Sequence, residues 1–492
     1  MSFSRFSIIA SSLASAFALT FALAACSPDS LVDTDPPSTI VDPDAATTAA
    51  GVTALYNGAI TVFASAFGGG GEGFTPVSYV LTSGLYTDEY LDGALGDYLT
   101  DSRSSSLQFS LGDESRQAAT YNSLQGARVA AFQARQALQQ HGPANGNALI
   151  GRMYSLEAYT IILLAEFYCN GVPLSKTPLV GPAVLAAGST GAELYATASA
   201  LLDTAITLSA DSSDFLNLAR VGKGRVLLDQ GKFAEAAQAV ASVPLTFAYN
   251  TQYQQGLLVQ VGGGGYNVAN QTSTQAASTQ FLSIFVTKDN EGGNGLPWSG
   301  DPRVVAMDGS ALFGASPYYW LGKYPTEGSS IRLADGIEAQ LIRAEASFQA
   351  NPSGGEWLAI LNTLRATCTS ASGCAPVPNI TGGTAQLPPL ADSLTPAARL
   401  REILQERAYW MYATGHRQGD LRRMLRPPYN AAPYSLTEAM VYPSGTYVNE
   451  TVSFWGFGSL TVSAYGHDVA AIIPRTEQKY NRKFSGCFDM NP

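Results

Sequence analysis

Residues able to do chemistry are sparse in this chain. Only three histidines occur, His141, His416 and His467, and none sits at a metal-ligand or nucleophile–base spacing. The patterns GxSxG, HExxH and GxxxxGK[ST] are absent. GGGGEG at 68–73 formally satisfies GxGxxG, but it follows a helical pattern and not a strand, so it reads as a flexible loop. TDEYLDGALGDYLTD at 87–101 gathers Asp88, Glu89, Asp92, Asp97 and Asp101. Carboxylates suit calcium, yet their order lacks the regular ligand spacing of an EF-hand, and a solvated acidic loop is the plainer expectation. A glycosidase needs two carboxyl groups about 5–9 Å apart across a cleft, which a sequence does not display. The expectation is a protein that is not an enzyme and needs no cofactor or metal beyond that calcium option.

Flat aromatic surface is what the chain does offer. Tyr86 immediately precedes the acidic segment and Tyr90 and Tyr98 fall in it, Trp298 in GLPWSGDPR, and Tyr318, Tyr319 and Trp320 in SPYYWLGKY. All lie in irregular stretches beside Asn, Asp and Gly. Aromatic faces match the apolar faces of sugar rings or of peptide side chains, while neighbouring amides and carboxylates take hydroxyls or backbone groups. These seven are the candidate ligand contacts; the alternative for each is a cap on the hydrophobic core.

The first residues limit where such a surface could work. An apolar run from Phe6 to Ala25 follows Arg5 and reaches Leu23-Ala24-Ala25-Cys26. That pattern predicts a lipoprotein signal over 1–25, with Cys26 lipidated and a flexible Asp- and Pro-rich tether over 26–44. A transmembrane anchor is the weaker alternative, because small residues lead into the Cys. The formal net charge is -11, which argues against nucleic acid, since phosphate binding needs clustered cations. Four further cysteines fit two disulfides in an oxidising compartment. Cys368 and Cys374, six apart, favour a local bridge, leaving Cys169 with Cys487 by elimination. No CxxC or nearby His supports a zinc site instead.

The elements that must hold these residues are mostly helical. Val52, Leu55, Tyr56, Ile60 and Phe63 form one stripe; 150–168 and 192–209 read as helices. In 215–243, two helices flank a Gly231-Lys232-Phe233 turn with small residues at the close approach, a tetratricopeptide-like hairpin. Residues 337–350 and 356–368 repeat that logic around NPSGG. Segments 244–335 and 427–470 lack helical period, and such long loops on a rigid scaffold are where binding groups gather. The spacing predicts one α-helical binding domain over 45–492, with long irregular loops carrying few short strands.

LREILQERAYWMYATGHRQGDLRRM at 400–424 packs charge and bulky aromatics into an otherwise charge-poor chain. Thr395-Pro396 is placed to start a helix and Gly415 to end it, with Glu402 and Glu406 readable as a solvated face. The order Glu406-Arg407, Gly415, Arg417, Asp420, Leu421, Arg423 resembles the signature of the SusD/RagB family of nutrient-binding outer-membrane lipoproteins. DPR at 301–303, LIRAEASFQA with LNTLRA, EAYTIILLAEFYCNGVPL at 157–174 and IIPRTEQKYN at 472–481 are similar to that family's pattern, in the same order. Thr414, Gln418 and Trp410 depart from it.

The resemblance implies a SusD-like fold and an outer-membrane lipoprotein facing the cell exterior. It would bind a glycan or other nutrient and deliver it to a TonB-dependent, SusC-like transporter. The alternatives are a peptide-binding RagB-like lipoprotein and a tetratricopeptide-type envelope adaptor without a nutrient ligand. Glu406, Arg407, Gly415, Arg417 and Asp420 are expected to be architectural, locking a helix end through charge-assisted hydrogen bonds.

Overall fold

The computed structural model describes residues 45–69, 78–92, 98–105, 115–253, 284–286, 295–304, 306–309, 318–321, 323–324, 329–367, 387–392, 395–454 and 458–492. The expected signal 1–25, Cys26, the tether 26–44, Asp97, Cys368 and Cys374 lie outside them.

The scaffold is a run of helices, each packed on the next. α1 (Ala49–Gly68) starts where Thr48 accepts from the Gly51 amide at 3.0 Å. After the short α2 (Tyr79–Leu85) and α3 (Tyr98–Asp101) come α4 (Ser115–His141) and α5 (Asn147–Phe167). The stack continues through α6 (Gly191–Leu208), α7 (Ser213–Asp229), α8 (Phe233–Val240), α9 (Gly336–Ala350) and α10 (Glu356–Thr367). Both predicted hairpins form: α7 with α8 around Gly231, whose φ of 71° suits glycine, and α9 with α10. Thr190 and Glu193 make a reciprocal capping box at α6. α1 and α5 are long and apolar enough to cross a membrane by composition alone; most of α5 is buried among its neighbours, as a core helix would be.

α4 has no counterpart among the predicted helices. Its core face is Leu124, Ala127, Ala131, Ala134 and Leu138, spaced three and four apart but mostly alanine, so the apolar signal is faint although the period is regular.

α11 (Pro396–Trp410) begins as predicted, with Thr395 accepting from the Ala398 amide. It ends at Trp410, five residues before Gly415. A turn over 411–415 intervenes, with Ala413 at φ 57° and Gly415 at φ 78°, and α12 (Arg417–Met424) follows. Gly415 is therefore not the cap of α11. It lets the turn approach Tyr79, whose ring lies 3.2 Å from where a Cβ would stand. α13 (Glu438–Val441) and α14 (Arg475–Tyr480) are short.

The segments without helical period carry strands. β1 (Tyr90–Asp92), β5 (Ile284–Val286), β7 (Tyr318–Leu321) and β6 (Ala306–Gly309) form an antiparallel four-stranded sheet in that order. β2 (Val172–Pro173) pairs β3 (Gly188–Ser189), and β4 (Ala248–Thr251) pairs β8 (Ile331–Asp335). β9 (Thr446–Phe454) and β10 (Gly458–Ala464) make a hairpin inside 427–470. One large apolar cluster joins α1 to α9, and a second packs Phe348, Trp357, Leu400, Leu404 and Tyr429 between α9 and α12. A Cys169–Cys487 disulfide, with Cα atoms 5.7 Å apart, fastens the segment after α14 to the end of α5.

Candidate functional site

Most of the α11–α12 stretch is buried, and its buried carboxylates, Glu406 and Asp420, each meet guanidinium groups. Glu406, 4% exposed, is not on a solvated face. It takes two hydrogen bonds from Arg303, at 2.7 and 2.9 Å, one from Arg365 at 2.5 Å and one from Trp410 Nε1 at 3.2 Å. Arg303, the last residue of DPR, also grips Asp301. Arg407 donates to both Asp420 oxygens at 2.8 and 2.9 Å, and Arg423 joins Asp420 to Glu345 of the alanine-rich α9. Arg417 forms a two-pronged bond to Asp88 at 2.7 and 2.9 Å, the fork geometry that makes such pairs both strong and directional.

These pins converge on the sheet. Asp88 and Glu89 lead directly into β1, while Lys323 and Tyr324 lie just beyond β7. All but Asp88 hold the turn after α11: Glu89 Oε1 accepts from the Ala413 amide at 2.9 Å, Lys323 Nζ donates to the Tyr412 carbonyl, and Tyr324 donates to the Ala413 carbonyl at 2.8 Å. Glu89 and Lys323 thus bind the two sides of one peptide group, between residues 412 and 413. The turn latches the ends of two strands that are more than 200 residues apart in the chain.

Through that sheet the two aromatic segments meet. Val286 of β5 is paired with Tyr90 on one side and with Tyr319 on the other; Trp320 is paired with Met307, and Tyr318 with Gly309. The binding expectations for Tyr86, Tyr90 and Trp298 need correction, because all three are fully buried. Tyr86 donates to the Ala470 carbonyl at 2.9 Å and meets Phe167 edge-on. Tyr90 packs on Gly84, and Trp298 lies against Tyr409 and Tyr412 under the Arg417 guanidinium. Each is an apolar ring beside a helix, where removal from water outweighs display on the surface. Tyr98 opens α3, and Tyr318, Tyr319 and Trp320 form β7; their side chains lie outside what the structure describes.

Beside the latch opens a cleft of about 270 Å³, lined among others by Asn250, Arg303, Lys323, Tyr324, Arg332, Asp335, Tyr409 and Thr414. Donors, acceptors and ring faces all contribute to its lining, which suits a polar, hydroxyl-rich ligand. The sequence reading missed Asn250, Arg332 and Asp335, which β4 and β8 bring together; the alternation within IRLAD was the available signal. A second groove of about 390 Å³ between Leu296, Leu400, Leu404 and Met440 is chiefly aliphatic and offers a sugar little polar complement.

Among the described residues, the groups nearest to a catalytic or metal-ligating arrangement are already engaged with other partners. Thr414 Oγ1 lies 2.8 Å from His416 Nδ1, but that hydroxyl also donates to the Met411 carbonyl, and both side chains are buried. Among the described residues no group of three or more His, Cys, Asp or Glu could hold a metal ion. Asp88 is committed to Arg417 and Asp101 accepts from Tyr447 at 2.9 Å.

The latch has a pH dependence. Burial pushes the Glu89 carboxyl up to about 7, against the pull of the Ala413 amide and Arg417. An acid whose folded pKa is raised keeps its proton in the native state while the unfolded chain has lost it, so stability falls as pH climbs from about 4.5 to about 7. Glu89→Gln, which can still accept from Ala413, is expected to remove up to about 3 kcal/mol of that fall. Urea midpoints of both proteins at pH 5 and pH 8 check it; equal slopes would refute it.

No family model and no curated protein matches the chain. Solved structures do. A SusD superfamily protein from Bacteroides thetaiotaomicron superposes with a TM-score of 0.61 at 14% identity, over 90% of this chain and 100% of that one. A SusD-like carbohydrate binding protein from Bacteroides vulgatus gives 0.57 at 12% identity, over 89% and 97%. Surface glycan-binding protein A from Bacteroides uniformis gives 0.60 at 12%, over 89% and 99%.

Proposed function

From its SusD-like fold, we propose that this chain is a glycan-binding lipoprotein of the SusD/RagB family. It is anchored to the outer membrane through Cys26 and faces the cell exterior. It captures an oligosaccharide at the four-stranded sheet and the adjoining cleft and hands it to a TonB-dependent, SusC-like transporter. The acidic tether over 26–44 supplies reach from the bilayer. The observation that carries the reading is the sheet in which β5 joins β1 to β7 and β6, which gathers two distant aromatic segments next to a cleft with polar lining residues. The names of the solved neighbours, carbohydrate binding and glycan-binding, support the ligand class.

Calorimetric titration of residues 27–492 against polysaccharides and oligopeptides tests it, beside a Trp320→Ala variant. A glycan should bind, and the variant should bind it about tenfold more weakly, the scale of one lost ring contact. Binding of peptides alone would assign the chain to the peptide-capturing alternative. No binding across the panel would favour an envelope adaptor.

A further inference from the structure

Charge bookkeeping in the cleft narrows the ligand, given the glycan reading above. Arg303 is held by Asp301 and Glu406. Arg332 donates to Asn250 Oδ1 at 2.7 Å and to Asp335 Oδ2 at 3.1 Å, and the other Asp335 oxygen caps α9 at the Glu338 amide. Lys323 differs. It is 7% exposed and lines the cleft, yet the Tyr412 carbonyl is its one hydrogen-bond partner among the described residues, and no carboxylate there makes a salt bridge to it. An ammonium has three donors, so two are without a partner among the described residues. Glu89 acts on it through space, with Oε1 taking the Ala413 amide and Oε2 without a hydrogen-bond partner, but it makes neither a hydrogen bond nor a salt bridge to Lys323. A buried cation without an ion partner is costly, and an anion entering the cleft would relieve that cost.

We propose that the cleft accepts the carboxylate of an acidic sugar residue, with Lys323 as its counter-ion and Arg332 as a second donor. A neutral sugar would leave both of these Lys323 donors to water, whereas a uronate would pair them with an opposite charge. The protein's overall negative charge makes this selectivity local: it comes from one side chain and not from a general field.

The test is titration of residues 27–492 with oligogalacturonate, with its fully methyl-esterified form, and with neutral oligosaccharides. The acid should bind at least about tenfold tighter than the ester, the scale of one charged hydrogen bond. Lys323→Met should abolish that preference and Lys323→Arg should keep it. Glu89, Asp335 and Arg332 face Lys323, and burial lowers its pKa to about 8, so the preference should fade as pH rises through 8. If Lys323→Met does not fold, Arg332→Gln and the pH profile carry the test. Equal affinity for acid and ester, or a preference that survives both Lys323→Met and high pH, overturns the proposal. Binding of neutral glycans alone overturns it while leaving glycan capture standing; binding of no glycan removes both.

Discussion

Glu406→Ala is expected to lower stability by about 3–5 kcal/mol, because it strands two buried guanidinium groups. Arg303 and Arg365, 3% and 9% exposed, both close on this carboxylate, and the Trp410 indole donates to it as well. Arg303 retains Asp301, but among the described residues Arg365 would keep only the Pro388 carbonyl. Leaving one partner of a buried pair without the other costs more than the pair itself contributes, so the loss should exceed that of any surface ion pair in the chain. Lys223 with Asp203, where Asp203 is 61% exposed, supplies the comparison: Asp203→Ala should cost less than about 1 kcal/mol. Urea denaturation of the three proteins reads both numbers. Equal midpoints for Glu406→Ala and Asp203→Ala would show that the cluster around Arg303 is not what holds α11 to α10.

The sequence displayed the scaffold more clearly than the site, for a physical reason. Helices α5 to α11 announce themselves through apolar residues at helical spacing and through caps such as Thr190 and Thr395. These are local signals, complete within one turn or two. The alanine face of α4 carries the same period with little hydrophobic contrast. The sheet is built otherwise: β1 finds β5, and through it β7, only after the chain has travelled through the described helices α3 to α8, and no local pattern encodes that pairing. Long-range placement also explains the aromatic errors. Tyr86, Tyr90 and Trp298 occur among Gly, Asp and Asn, as surface rings do, yet Phe167, Tyr409 and Tyr412 arrive from elsewhere to cover them. The charged stretch at 400–424 was legible as architecture. Its partners were not, since Asp88, Arg303 and Glu345 are distant in sequence and meet it only in the folded chain.

Asp420→Ala should be the second severe substitution, and it separates scaffold from ligand selectivity. Asp420 bridges Arg407 and Arg423. Arg423 would retain Glu345, but Arg407 has a buried Nη1 without a partner already, and its Nε bonds both go to Asp420. The variant therefore leaves a buried, unpaired cation between α11 and α12, at a cost of about 3–5 kcal/mol. The protonated wild type approaches the same state. Burial alone would raise the Asp420 carboxyl, but Arg407 and Arg423 outweigh it and lower the pKa to about 2. For an acid with a depressed folded pKa, the contribution is present above the unfolded value near 3.8 and disappears as pH falls through 2. Urea midpoints should accordingly drop between pH 4 and pH 2 in the wild type, with a shallower drop in Asp420→Ala. At neutral pH the folded variant should keep the order of ligand affinities, because no atom of Asp420 lines the cleft. An unchanged midpoint would remove Asp420 from the scaffold, and a reordered ligand panel would mean that the α11–α12 turn transmits strain from its ion pairs to the cleft.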